Sequence, residues 1–221
     1  MEYIDLEAWP RRPVFDFFSA VSNPFYMVTF RQDVTRLYRY TKRTGLSFYY
    51  SLIYLCTRAA DAVDAFRYAV RGETVVRHAC RRPSFTDLRP GSEQFHIVTM
   101  PPCTGTLPDF CRDARARSLT QAAFLDPAAE GDDLVYFSCL PWVDLTALTN
   151  ERDLAAPGAK DKSIPHIAWG RYVREGDRVT LGLSIEVNHR LLDGLHIGRF
   201  AEELTRRIEA LPDAPEERID P

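Results

Sequence analysis

The chain has 221 residues, 45% of them hydrophobic and 12% aromatic, enough to bury a substantial core. Its 28 Lys and Arg against 31 Asp and Glu leave a net charge of −3 with no basic block, so neither nucleic acid nor a membrane surface is an expected partner. No apolar run approaches the roughly eighteen residues of a membrane span, the start lacks a leader pattern, and five scattered cysteines form no C-x-x-C pair, which predicts a reduced, cytoplasmic globular protein without a metal or disulfide framework.

Apolar residues at Val14, Phe15, Phe17, Phe18 and Val21 predict a short helix over 11–21, broken by Asn23-Pro24. A strand over 25–34 follows, then a helix over 35–44 started by Asp33 or Thr35 and stopped by Gly45. Ser47 opens the longest apolar helix, 48–63, whose faces are apolar nearly all round and which therefore belongs in the core. Short strands are expected at 68–70 and 74–77 around Arg71-Gly72, then at 84–88 and 94–100. Pro101-Pro102 precedes an amphipathic helix over 107–123. A strand over 134–139 ends at Leu140-Pro141-Trp142, and the polar stretch 150–163 reads as loop. Strands 166–174 and 178–187 form a hairpin around Glu175-Gly176-Asp177, and a helix over 197–211 closes the chain. With no linker and no internal repeat, the pattern predicts one mixed α/β domain, a largely antiparallel sheet with helices on one face; the acidic, proline-containing end, 212–221, reads as a frayed tail.

The stretch Asn188-His189-Arg190-Leu191-Leu192-Asp193-Gly194 joins that last strand to that last helix. A histidine leaving a strand, with a carboxylate four residues on, is a candidate general base in an organised loop. The same residues also fit a plain turn in which Asp193-Gly194 caps the helix. Asp193 either orients the imidazole or organises the loop by pairing with an arginine. Ser138 lacks the glycines of a nucleophile elbow, so it suits a hydroxyl donor to an oxyanion, or else a satisfied strand-end serine. His196 reads as packing or capping, and His78, His96 and His166 share no metal-ligand spacing. Cys139 has no thiolate-stabilising cation cluster in the sequence around it.

Six ordered segments spread over nearly the whole chain carry a family resemblance: W-P-R-R at Trp9–Arg12, D-V-T-R-L at Asp33–Leu37, L-S-F-Y at Leu46–Tyr49, S-C-L-P-W at Ser138–Trp142, R-Y-x-x-E-G-D-R at Arg171–Arg178 and N-H-R-L-L-D-G-L-H-I-G-R-F at Asn188–Phe200. The chain resembles the chloramphenicol O-acetyltransferases of the trimeric, histidine-dependent class. That resemblance implies an α+β two-layer sandwich of the coenzyme A-dependent acyltransferase fold, with one acyltransferase domain over 1–221. It implies acetyl-CoA as co-substrate, no metal, and a homotrimer with sites between subunits. It implies His189 as base, Ser138 as oxyanion donor and Asp193 braced by Arg11. By the same carry-over, Phe17, Phe18, Tyr26, Thr86 and Phe95 line the acceptor pocket, and Arg171, Tyr172 and Trp142 bind the cofactor. Three positions depart from the family pattern: Asn188 replaces the first of two adjacent histidines, Ala168 a threonine, and Phe18 a pocket tyrosine. The last two touch acceptor recognition, so the alternatives are another small-molecule acceptor or a trimeric binding protein without catalysis.

Overall fold

The computed structural model describes residues 1–212, so the expected tail from 213 onward lies outside the described residues. In chain order the elements are β1 (Glu2–Tyr3), α1 (Arg12–Ser19), β2 (Phe25–Asp33), α2 (Thr35–Thr44), α3 (Phe48–Asp61), β3 (Tyr68–Arg71) and β4 (Thr74–Arg77). They continue as β5 (Arg82–Leu88), β6 (Phe95–Thr99), α4 (Leu107–Thr120), β7 (Leu134–Leu140), β8 (His166–Gly170), β9 (Val173–Glu175), β10 (Arg178–Asn188) and α5 (Gly194–Glu209). The larger sheet has the order β2-β10-β8-β7-β5-β6, with β9 also paired to β10; β1-β4-β3 form a small second sheet. Among the described residues, only the β5–β7 and β7–β8 pairings of the larger sheet are parallel, giving the mixed, largely antiparallel sheet that the sequence predicts.

β10 shows why the sheet has two unlike faces. Val179, Leu181, Leu183, Ile185 and Val187 alternate with Thr180, Gly182, Ser184, Glu186 and Asn188, and side chains along a strand alternate between faces. The apolar set joins the core with α3, which packs against β5 and β7 and contacts α2, α4 and α5. The helices thus stack on that one face. The polar set is buried as well, because the segment between β7 and β8 folds back over it. Ser184 Oγ donates to the Leu148 carbonyl at 2.9 Å, the Asn150 amide donates to Glu186 at 2.9 Å, and Arg152 pairs with the same carboxylate. Gly182 is required by that approach: a Cβ there collides with the Leu145 carbonyl oxygen.

Ser47 caps α3 by accepting from the Tyr50 amide, and Gly45 ends α2 in the left-handed conformation at φ 70°, as their residue types predict. Several boundaries differ from the sequence expectation. α1 stops at Ser19 instead of reaching Val21. α4 stops at Thr120 because Gln121 turns extended and its side chain donates to the Ile97 carbonyl at 2.8 Å. α5 begins at Gly194, three residues early, because Asp193 caps it. The strand expected over 166–174 is two strands. Trp169 opposes Leu183 and Val173 opposes Thr180, so four steps on one strand match three on β10, a one-residue bulge. There the Arg171 amide leaves the ladder and donates to the Val143 carbonyl at 2.7 Å.

Candidate active site

β10 and β2 end together, Asn188 opposite Phe25, and the His189 amide extends the ladder by donating to the Pro24 carbonyl at 2.7 Å. The chain then turns: the Asn188 carbonyl accepts from the Leu191 and Leu192 amides, and its side-chain oxygen accepts from the Arg190 amide at 3.1 Å. Arg11 clamps the turn from outside. Its guanidinium donates to the His189 carbonyl at 2.9 Å, the Arg190 carbonyl at 3.0 Å and Asp193 Oδ2 at 2.7 Å. Asp193 Oδ1 meanwhile accepts from the Leu195 amide at 3.1 Å, and the Asp193 amide donates to His196 Nδ1 at 3.1 Å. The two readings of Asp193, loop brace and helix cap, therefore hold at once, one carboxylate oxygen for each. Burial alone would raise the Asp193 pKa, but the Arg11 hydrogen bond and the His196 and Arg11 charges hold it below the usual carboxylate range.

The His189 ring lies between two aromatic rings, stacked on Phe18 at 3.9 Å and tilted against Tyr26 at 4.2 Å between centroids. Desolvation, then the Arg11 charge, lowers its pKa below the ordinary histidine value, against the pull of Asp193. The imidazole is therefore neutral at pH 7, the form a general base needs. Tyr26 keeps its proton too: burial and the Asp193 charge push it up to about 12, and its hydroxyl is buried without a hydrogen-bond partner among the described residues. Phe17 sits at the rim, 65% exposed and edge-on to Phe18.

Ser138 belongs to a different cluster. Phe85, Phe137 and Ile167 are core residues, so their neighbours Thr86, Ser138 and Ala168 share the opposite face with Ser184. One step along the same strands comes a second row, Ser84, Tyr136, His166 and Glu186. Two cavities meet at Ser138, of about 330 and 540 Å³, and Thr86 and Phe95 line both. The smaller runs over the second row towards Asn150 and Glu151; the larger opens past Tyr49, Cys139 and Trp142. Tyr49 donates its hydroxyl to the Thr86 carbonyl at 2.5 Å, which ties helix α3 to the shared wall. The Ser138 hydroxyl makes no hydrogen bond among the described residues, leaving it free to donate into either cavity. Burial pushes the Cys139 thiol up to about 12, so it is not a thiolate.

Ser138 and His189 do not meet within the chain. Ser138 is two strands from Ser184, and Ser184 is five residues from His189 along β10. With strands about 4.8 Å apart and a rise of about 3.3 Å per residue, the two Cα atoms are about 19 Å apart. The candidate acceptor wall divides the same way: Phe17, Phe18 and Tyr26 gather at His189, and Thr86 and Phe95 at Ser138. Of the candidate cofactor residues, Trp142 is 67% exposed at the mouth of the larger cavity. The Tyr172 ring packs on Tyr38 and Phe48, and Arg171 sits in the bulge. Tyr49, Tyr136, His166 and Glu151 were not singled out from the sequence as site residues, since together they form no motif. Tyr136 and His166 show only as polar residues among the apolar ones of two separate strands, while Tyr49 lies on helix α3 and Glu151 in the loop before β8.

A further groove of about 910 Å³ lies behind the clamp between Trp9, Tyr68 and α5, and holds neither His189 nor Ser138. Among the described residues no three His, Cys, Asp or Glu gather as metal ligands, and no helix is long and apolar enough to cross a membrane.

A family model described as chloramphenicol acetyltransferase matches residues 1–205. A chloramphenicol acetyltransferase of Klebsiella sp is 27% identical over 212 residues, covering 91% of this chain and 90% of that protein. A solved chloramphenicol acetyltransferase structure superposes with a TM-score of 0.80 at 21% identity, covering 93% of this chain and 98% of the other. A probable dihydrolipoamide acetyltransferase from Listeria monocytogenes shares the fold at a TM-score of 0.65 and 15% identity, covering 93% and 95% of the two chains.

Proposed function

Because the chain belongs to the chloramphenicol acetyltransferase family, we propose that it transfers the acetyl group of acetyl-CoA to a hydroxyl of chloramphenicol by direct attack, with His189 as general base. The observation that carries this reading is the neutral His189 imidazole, held between Phe18 and Tyr26 on a turn that Arg11 and Asp193 lock. Acetyl-CoA supplies an activated thioester. His189 takes the proton of the acceptor hydroxyl as its oxygen attacks the thioester carbonyl, and later returns that proton to the departing thiolate. Ser138 donates its free hydroxyl to the developing oxyanion, a contact whose removal typically costs about 3 kcal/mol of transition-state stabilisation. Asp193 and Arg11 are positioning residues: they touch the loop and not the reacting atoms.

The chain acts as a homotrimer in the cytoplasm, folded as one acyltransferase domain. The 19 Å between Ser138 and His189 supports a site shared between subunits. One chain brings His189, Phe17, Phe18 and Tyr26, and its neighbour brings Ser138, Thr86 and Phe95. Trp142, which lines the larger cavity, holds coenzyme A together with Arg171 and Tyr172, and the smaller cavity takes the acceptor. The test is thiol release from acetyl-CoA by purified protein with and without chloramphenicol. Turnover that requires both substrates and disappears in His189→Ala supports the reading. Undiminished turnover in that variant discards the mechanism, and turnover with other alcohols alone discards chloramphenicol as acceptor.

A further inference from the structure

Resting on that acetyl-transfer reading, we propose that His166, with Tyr136 and Glu151, sets acceptor specificity and favours an acceptor whose end remote from the reacting hydroxyl carries a hydrogen-bond donor, an amine or a hydroxyl. Ser138 fixes where the chemistry happens. The second row lies two residues along the strands, about 7 Å from Ser138, so it meets whatever part of the acceptor extends away from the reacting oxygen.

The polar groups of that row are not equally free. Glu186 is consumed by Arg152 and by the Asn150 amide. Ser84 accepts from Thr99 at 2.9 Å. Tyr136 donates its hydroxyl to Glu130 at 2.9 Å, which leaves its oxygen able only to accept. The His166 ring stands edge-on to Tyr136 at 5.1 Å and has no hydrogen-bond partner among the described residues. Burial, followed by the Arg152 charge, lowers its pKa to about 4, so at pH 7 one ring nitrogen is a bare acceptor. Glu151 lines the same cavity and makes no ion pair among the described residues. Two of the three groups accept only, and the third accepts through one nitrogen. A donor satisfies all three, whereas a nitro group finds among these three only the single His166 N–H.

The test compares chloramphenicol with the analogue whose nitro group is reduced to an amine, two ligands of nearly equal shape. The amine is expected to have about a tenfold lower KM, from one or two added hydrogen bonds, with kcat little changed because the reacting row is untouched. His166→Ile should bring the two KM values together. His166→Asn, which retains a donor and an acceptor, should restore part of the preference, and Glu151→Gln, at an exposed position, should reduce it. Equal KM values in the unsubstituted protein, or a preference that neither His166→Ile nor Glu151→Gln alters, overturns the proposal. Calorimetric binding of the same two ligands separates the two claims. Tighter binding of the amine without any thiol release removes the acetyl-transfer reading and keeps the recognition; turnover of both without preference does the reverse. Thermal melting of each variant establishes that the comparison is between folded proteins.

Discussion

Mixing two inactive variants should restore activity. The distance of about 19 Å between Ser138 and His189 is too long for one imidazole and one hydroxyl to serve a single acetyl group, so the proposed mechanism takes them from different chains. His189→Ala removes the base, and Ser138→Ala lowers turnover by about a hundredfold when assayed alone. When both variants are co-expressed, a site formed by His189 of a Ser138→Ala chain and Ser138 of a His189→Ala chain carries the full machinery. In a cyclic assembly with random incorporation, that pairing occurs at about one interface in four. Thiol release should therefore rise to about a quarter of the unsubstituted rate, roughly twenty-five times that of the better single variant. The assay is the acetyl-CoA and chloramphenicol thiol-release rate of co-purified chains carrying different affinity tags. A rate no higher than the average of the two single variants refutes the shared site.

The acid limb of kcat/KM should lie below the ordinary histidine value of about 6.5, because the base must be unprotonated and burial and Arg11 depress its pKa. Arg11→Gln should move that limb upward whatever it does to the maximum rate, and an unmoved limb would separate Arg11 from the base. Arg11→Ala should also destabilise the fold by about 2 kcal/mol, since three hydrogen bonds and a half-buried pair with Asp193 are lost, lowering Tm by roughly 4–8 °C in calorimetry. His166 makes the fold acid-sensitive. With a folded pKa near 4 and an unfolded value near 6.5, the unfolded chain alone takes up a proton between them, so stability falls with pH by up to about 3 kcal/mol. Urea midpoints at pH 7 and pH 4.5 should differ less in His166→Asn; equal differences would contradict the assignment. Gly182→Ala should fail to fold or melt far lower, because its methyl group displaces the Leu145 backbone from the sheet; an unchanged melting curve would show that this cover is dispensable.

Most elements and the identity of the turn were legible along the chain. Alternation along 178–188 is strict enough to fix a two-faced strand, Ser47 and Gly45 cap and stop helices by local chemistry, and the segments around Arg11, Ser138 and His189 carry the family in their residue types and order. Local hydrogen bonding explains this, since caps and periodicity act within a few residues. Asp193 was legible as either cap or brace, and only the fold, by bringing Arg11 across 182 positions, let it be both. The bulge that splits 166–174 was hidden because it arises from a partner, the Val143 carbonyl, that no window around Arg171 contains. Likewise, nothing along the chain says that Tyr136 and His166 stand side by side, because strand register is set by pairing between distant segments. The separation of His189 from Ser138 is of the same kind. Sequence order named both groups, but only the sheet, with two strands and five residues between them, decided that they stand about 19 Å apart within the chain.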